Sequence, residues 1–426
     1  MKQAGNKDFI ILVGPVFKSP GNDNAIGKTI DVWYITAEKM RMVVFILSIL
    51  LFQISGIDGS SQEITGTEKD TFNLGGQVSL WTNFNYNNPL PFIAGARYIP
   101  ALNYGVRLSG QKFIDFEASA NIYGSFAFNP FDTSFADGNL KPYRFWARYS
   151  DNQFELRLGL QKINFGSASM LRPLMWFDQM DPRDPLQLTD GVWALLARYY
   201  FLNNASIWLW GLYGNHDPRA WEMIPTNKGI PEFGGRIQVP VPKGEIAVSY
   251  NHRMADNRDI PIFNDPSGKI PEDKFGFDAR LDLETGIWLE GSWTRKRMDL
   301  GTLTNQEVLN AGADYTFGLG NGLYVAYEHL LLSYDQKAFE LANRTMFSLL
   351  MINYPINLFD RVGGIIYYNW TNRKIYNFVS WQKQFDNIML YLMGYWNPDY
   401  YELPAQTVSR NYFSGRGIQI MFVYNH

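Results

Sequence analysis

The chain contains no cysteine and only four histidines in 426 residues. Zero cysteine excludes disulfide scaffolds, thiolate zinc sites, iron–sulfur clusters and cysteine nucleophiles together. Four histidines leave little room for a histidine metal centre, so no cofactor or metal is expected. Charge is also scarce: Asp, Glu, Lys and Arg make up 19%, below the roughly 25% of an ordinary soluble domain. Thirty-eight basic and 41 acidic residues leave a net charge of -3, which gives no electrostatic reason to expect nucleic acid. No run of about 18 apolar residues occurs, so a bundle of transmembrane helices is excluded. What the chain has instead is aromatic residues, at 16%, and 37 glycines. That content excludes disorder and leaves a large β protein, either a soluble sandwich or a membrane barrel.

The compartment is read near the N-terminus. Lys39-Met40-Arg41-Met42 precedes the apolar run Val43 to Phe52, and small residues at Ser55, Gly56, Gly59, Ser60 and Ser61 follow. A short basic region, about ten apolar residues and a small-residue cleavage zone make a secretory signal at 40–61. Residues 1–39 then read as an extension upstream of the true start, at Met40 or Met42. A single barrel domain is expected over 62–426, in the outer membrane of a Gram-negative bacterium.

From Phe72 onward, segments of about ten residues alternate in hydrophobicity. Ile114, Phe116, Ala118, Ala120 and Ile122 alternate with Asp115, Glu117, Ser119 and Asn121, and Phe154, Leu156, Leu158 and Leu160 with Glu155, Arg157, Gly159 and Gln161. Period-two alternation predicts half-buried strands. Eighteen are placed, within a range of 16–18, at about 72–84, 100–110, 112–126, 142–150, 153–163, 191–202, 205–215, 232–241, 244–253, 274–284, 286–296, 305–317, 321–333, 343–354, 361–371, 374–384, 386–397 and 414–425. Short turns, such as Gln111-Lys112 and Pro242-Lys243, alternate with longer connections at 85–99, 127–141, 164–190, 216–231, 254–273, 297–304, 334–342 and 398–413. Segregation of loop length by parity is the pattern of an antiparallel transmembrane β-barrel with short periplasmic turns and long external loops. Trp193, Tyr199, Tyr213, Trp293, Tyr315, Trp370, Tyr376, Trp396 and Tyr424 lie near strand ends and are expected to form interfacial girdles. In the last strand Ile418, Ile420, Phe422 and Tyr424 share a face, as barrel-assembly machinery would read it. Lipid and lipopolysaccharide are the expected surroundings. The uniformly apolar outward faces favour a monomer.

Eighteen strands enclose an aqueous channel unless something plugs it. Arg107, Arg144, Arg148, Arg157, Arg198 and Arg236 fall on the faces opposite the apolar ones in the first half of the chain. Asp278, Asp282, Glu284, Glu290, Asp314 and Glu328 do so in the second half. A basic wall facing an acidic wall would set ion preference. The third long connection, 164–190, is the longest and carries Met170, Leu171, Arg172, Leu174, Met175, Trp176, Phe177, Asp178, Asp181, Arg183 and Asp184. A long apolar loop in a compact fold is usually functional, and folding inward would bury it and constrict the pore. Asp178, Asp181 and Asp184 lack the glycine-spaced pattern of a dedicated calcium loop and read as a solvated turn. His216 and His252 are the only candidates for rim catalysis, and no serine near them in sequence suggests a dyad, so an enzyme is not expected.

Arg157-Leu158-Gly159-Leu160-Gln161, Phe165-Gly166, Trp176 and Asp190-Gly191-Val192 resemble the signature of the alginate-export-like outer-membrane barrels. The resemblance covers about 45 residues and implies an 18-stranded monomeric barrel with a pore. Leu160 stands where that family usually carries arginine, so the resemblance speaks for a channel more than for an anionic polysaccharide. Two functions follow as expectations: a passive pore for small hydrophilic or weakly anionic solutes, or a plugged or partner-gated barrel in polymer export or adhesion.

Overall fold

The computed structural model describes residues 70–86, 90–129, 134–181, 183–258, 268–399 and 413–426. The export signal and the upstream extension lie outside the described residues. The strands are β1 (Asp70–Asn85), β2 (Phe92–Arg107), β3 (Phe113–Phe128), β4 (Ser134–Ser150), β5 (Phe154–Gln161), β6 (Val192–Tyr200), β7 (Ser206–Leu212), β8 (Glu232–Val241), β9 (Gly244–Asp256), β10 (Lys269–Asp282), β11 (Gly286–Lys296), β12 (Asn305–Phe317), β13 (Leu323–Asp335), β14 (Arg344–Pro355), β15 (Asp360–Asn369), β16 (Lys374–Gln384), β17 (Ile388–Trp396) and β18 (Arg416–Asn425). Each pairs antiparallel with its sequence neighbours, and β1 pairs with β18 from Gln77↔Asn425 to Asn85↔Gly417. The sheet is therefore a closed antiparallel barrel with no free edge. Every connection from an even to an odd strand is short, and the long ones fall at the other end.

Alternation decides which way each side chain points. Leu289, Phe277, Leu195, Leu209, Ile418, Ile420 and Phe422 are exposed, while their strand neighbours Glu290, Asp278, Leu196, Trp210 and Gln419 are buried. The exposed set is the outer surface and the buried set faces the lumen. Trp193, Tyr199, Tyr213, Tyr315, Trp370 and Trp396 are exposed on the outer surface, whereas Tyr376 points inward and is fully buried.

β10 begins about five residues earlier than the hydrophobic pattern predicts, at Lys269, and two strands begin about eight earlier, β2 at Phe92 and β4 at Ser134. Both extensions lie beyond a proline, Pro100 or Pro142. Strand interiors tolerate proline at bulges, and the β3–β4 register shifts between Ser119 and Ala120, beside Pro142. Pairing between β2 and β3 likewise skips Ile99 and Pro100. The first two loops are correspondingly short, spanning 86–91 and 129–133.

Candidate functional site

Loop 3, residues 162–191, leaves β5 and returns at β6, yet it is bonded to β10–β13. The inward carboxylate of Glu290 accepts hydrogen bonds from the backbone N–H groups of Ala168 and Leu174, both at 2.7 Å. Glu328 accepts from Ser169 at 2.7 Å, Leu171 at 2.6 Å and Met170 at 3.1 Å. Ser167 donates to Asp278, Trp176 Nε1 to Ser292 Oγ, and Asn310 to the Leu171 carbonyl. A segment anchored at β5 and β6 that meets the lumen faces of β10–β13 runs across the inside of the ring. Gly166, with φ of +110°, makes the first turn of this crossing; a Cβ there would lie 2.5 Å from Glu290 Oε2.

The loop's apolar side chains meet a wall that is apolar on its lumen face too. Ile163, Phe165, Leu174, Trp176 and Phe177 pack with Val192, Ala194, Leu196, Trp210 and Leu212 of β6 and β7. Met170, Leu171 and Met175 pack with Val308, Leu330, Phe347, Leu349, Tyr367 and Phe378. Each such side chain gains roughly 1.5–3 kcal/mol from leaving water. Near its end, Leu186 reaches the Tyr391, Met421 and Val423 cluster of β17 and β18. Loop 4, residues 213–231, lies on loop 3, with Trp221 Nε1 donating to the Arg172 carbonyl at 2.8 Å.

The charged candidates separate into two groups. Arg144 is buried and donates to the Thr189 carbonyl at 2.9 Å, at the foot of loop 3. Arg236 is paired with Asp278 at 2.5 Å, their side chains 2% and 1% exposed. Arg172 and Asp178 form another buried pair at 2.7 Å. Arg183 grips Asp181 through two hydrogen bonds, and Asp184 accepts from the Leu186 N–H. Burial pushes the Asp184 carboxyl above its ordinary range. Among the described residues no group of three metal-ligating side chains occurs. These groups, with Glu290, Glu328 and Trp176, belong to the attachment of loop 3. Asp282 is exposed at the short-turn end beside Arg280, and Arg107 is exposed at the end of β2.

Arg148, Arg157 and Arg198 are different. Their side chains keep 28%, 15% and 15% exposure on the lumen face of β4–β6. Arg148 and Arg157 are directly opposed across the strand pair, an arrangement that repels unless a carboxylate intervenes. Glu155 does so, at 3.9 Å from Arg148, 3.0 Å from Arg157 and 3.5 Å from Arg198, and Asp115 takes two further bonds from Arg148. Indoles back the guanidinium groups: Trp146 lies 4.7 Å from Arg157, and Trp208 3.8 Å from Arg198. Arg97 on β2 also faces the lumen but nearer the long-loop end, opposite Tyr123 and toward Asp184 of loop 3, standing over Trp81 and Tyr123 at 5.6 and 5.5 Å. With Glu117 counted, the three guanidinium groups of the strip face three carboxylates. Arg97 escapes a sequence reading because it sits before Pro100, in a stretch that reads as loop.

His216 Nδ1 is 2.9 Å from the Thr226 carbonyl, and His252 Nδ1 2.8 Å from Asp273 on the outer face. Among the described residues neither histidine has a hydrogen bond to a serine hydroxyl.

No protein-family model matches the chain, the alginate-export-like one included, and no curated protein matches it in sequence. Similar solved structures exist. OccAB1 of Acinetobacter baumannii is 8% identical, with a TM-score of 0.50 over 84% of this chain and 96% of that one. OmpF of Salmonella typhi, solved with daunomycin, is 10% identical, with a TM-score of 0.49 over 84% and 98%. An anion-selective porin from Comamonas acidovorans is 11% identical, with a TM-score of 0.46 over 84% and 100%. At these identities the likeness is one of fold.

Proposed function

We propose that the protein is an outer-membrane channel through which small hydrophilic solutes diffuse, with a preference for anions. The apolar outer belt and edgeless sheet suit a hydrocarbon solvent, in which every backbone group must be satisfied within the protein. Lipid and lipopolysaccharide would surround one barrel, delivered by the barrel-assembly machinery. One observation carries the choice of solute. Once loop 3 is docked, Arg148, Arg157 and Arg198 keep solvent contact while Arg144, Arg172 and Arg236 do not. Loop 3 is the constriction in this reading, because it narrows the lumen toward that strip. Solvent-exposed guanidinium groups backed by indoles offer bidentate donors that suit carboxylated or phosphorylated solutes better than cations. Polymer export is the finer function that residues 157–192 suggest; Leu160 in place of arginine and the three carboxylates in the strip favour small solutes.

The test is single-channel recording in a planar bilayer under a salt gradient. The native protein should give ohmic steps with an anion-favouring reversal potential, and Arg148→Glu with Arg157→Glu and Arg198→Glu should reverse its sign. Unchanged selectivity in a conducting variant would remove the strip from the pathway. The packing of loop 4 on loop 3 favours a second reading, a plugged or partner-gated barrel. Silence from a folded barrel, relieved by deleting 165–188, would establish it.

A further inference from the structure

Above loop 3, loop 4 folds over β8–β12 and encloses a cluster of charges remote from the arginine strip. Arg219 binds Glu222 and Glu232 at 3.1 and 2.7 Å. Arg253 binds Glu222 and Glu272 at 3.1 and 2.5 Å, and Lys274 binds Glu222 at 2.5 Å. Lys296 stands 3.9 Å from Glu272 and donates to the Leu303 carbonyl at 2.9 Å. Every one of these side chains is at most 8% exposed. Among the described residues the cluster holds four cations and three carboxylates. An uncompensated charge at such depth is costly, so something must balance it.

The cluster borders an enclosed cavity with room for one water-sized particle. Its lining includes Arg219, Lys274, Lys296, Ser292, Thr294 and Tyr334, together with the carboxylates of Glu222 and Glu272, which the three cations outnumber. The lining is rich in donors. Arg219 Nη1 is buried without a hydrogen-bond partner. Ser292 Oγ already accepts from Trp176, and Tyr334 Oη from Gln306, so both hydroxyl protons remain to be given. Excess positive charge, converging donors and monoatomic size describe an anion site.

We propose that this cavity binds one small inorganic anion of chloride size, which balances the cluster and fastens loop 4 to the wall beneath it. The alternative is that one lysine stays neutral and the cavity holds water. The proposal does not depend on conduction. The folded protein in detergent is melted in sodium chloride and in sodium gluconate at matched ionic strength, gluconate being too large for the cavity. Chloride at ten times its dissociation constant should raise the melting temperature by roughly 2–3 °C, and Lys296→Met should abolish that difference. Crystals grown in bromide should show an anomalous peak within hydrogen-bond reach of Lys296 Nζ and Arg219 Nη1; that measurement decides the matter if the variant does not fold. Equal melting in the two salts with no peak would overturn the proposal in favour of a neutral lysine. A chloride effect with no peak in the cavity, or one that survives in Lys296→Met, would overturn it too.

Discussion

Removing the Glu328 carboxylate tests whether loop 3 is held by its backbone. Glu328→Ala leaves the N–H groups of Ser169, Met170 and Leu171 without their acceptor inside the barrel. Stripping the partner from a buried charged hydrogen-bond set costs about 3–5 kcal/mol. The ring itself has no part in that loss, because its strands are paired independently of the side chain. The cost falls on residues 168–174, while Phe165, Trp176 and Phe177 keep their seat on β6 and β7. Local opening of the segment should therefore become roughly 150- to 5,000-fold more frequent. The absence of cysteine supplies the assay. Ala168→Cys places the chain's one thiol at a buried position, and maleimide labelling then reports the opening rate directly. Labelling within threefold of the Glu328-containing parent, in a barrel that still resists unfolding, would refute the anchoring role.

Other outcomes follow from the same contacts. Gly276 lies beneath the loop, and a Cβ there would stand 2.5 Å from Leu174 Cδ2; Gly276→Val should cost about 1–3 kcal/mol of docking by overpacking and raise conductance, read in bilayers. Burial pushes the Glu222 carboxyl up, but Arg219, Arg253 and Lys274 outweigh it and hold the group well below the usual carboxylate range. A depressed folded value contributes stability above the unfolded pKa of about 4.3. Loop 4 protection in hydrogen exchange should thus be flat from neutral pH to about 5 and fall only in stronger acid. Asp184 has the opposite sign: its raised value favours the protonated form, so the group costs stability once pH exceeds the ordinary carboxylate range. Asp184→Asn should raise the melting temperature at neutral pH and lose that advantage in acid.

Most of the barrel is legible from alternation alone. The bounds of β8, β11, β12 and β16 coincide with those read from the sequence, because each runs uninterrupted between two turns. β2 and β4 are truncated in such a reading by Pro100 and Pro142, whose bulges only the neighbouring strand reveals. The docking place of loop 3 did leave a trace. Val192, Ala194 and Leu196, like Trp208, Trp210 and Leu212, are apolar on the face that should meet water, which signals a strand covered on both sides. The partners of the individual charges left none. Arg236 and Asp278, or Glu328 and Leu171, are far apart in the chain, and a strand pattern says only that each points inward. Two opposed charged walls are a fair inference from that pattern, but the second wall's Glu290 and Glu328 are occupied by the loop.

Five main-chain N–H groups, supplied by residues 168–171 and 174, hold loop 3 to two carboxylates. Such a clasp grips amide groups, which nearly every residue carries in the same place. Side chains at exposed positions of the segment are therefore free to vary without unseating it, proline excepted because it would remove a donor. Loop chemistry and loop placement become separable quantities, so the interior surface can be re-lettered by single substitutions while the wall that carries it stays where it is.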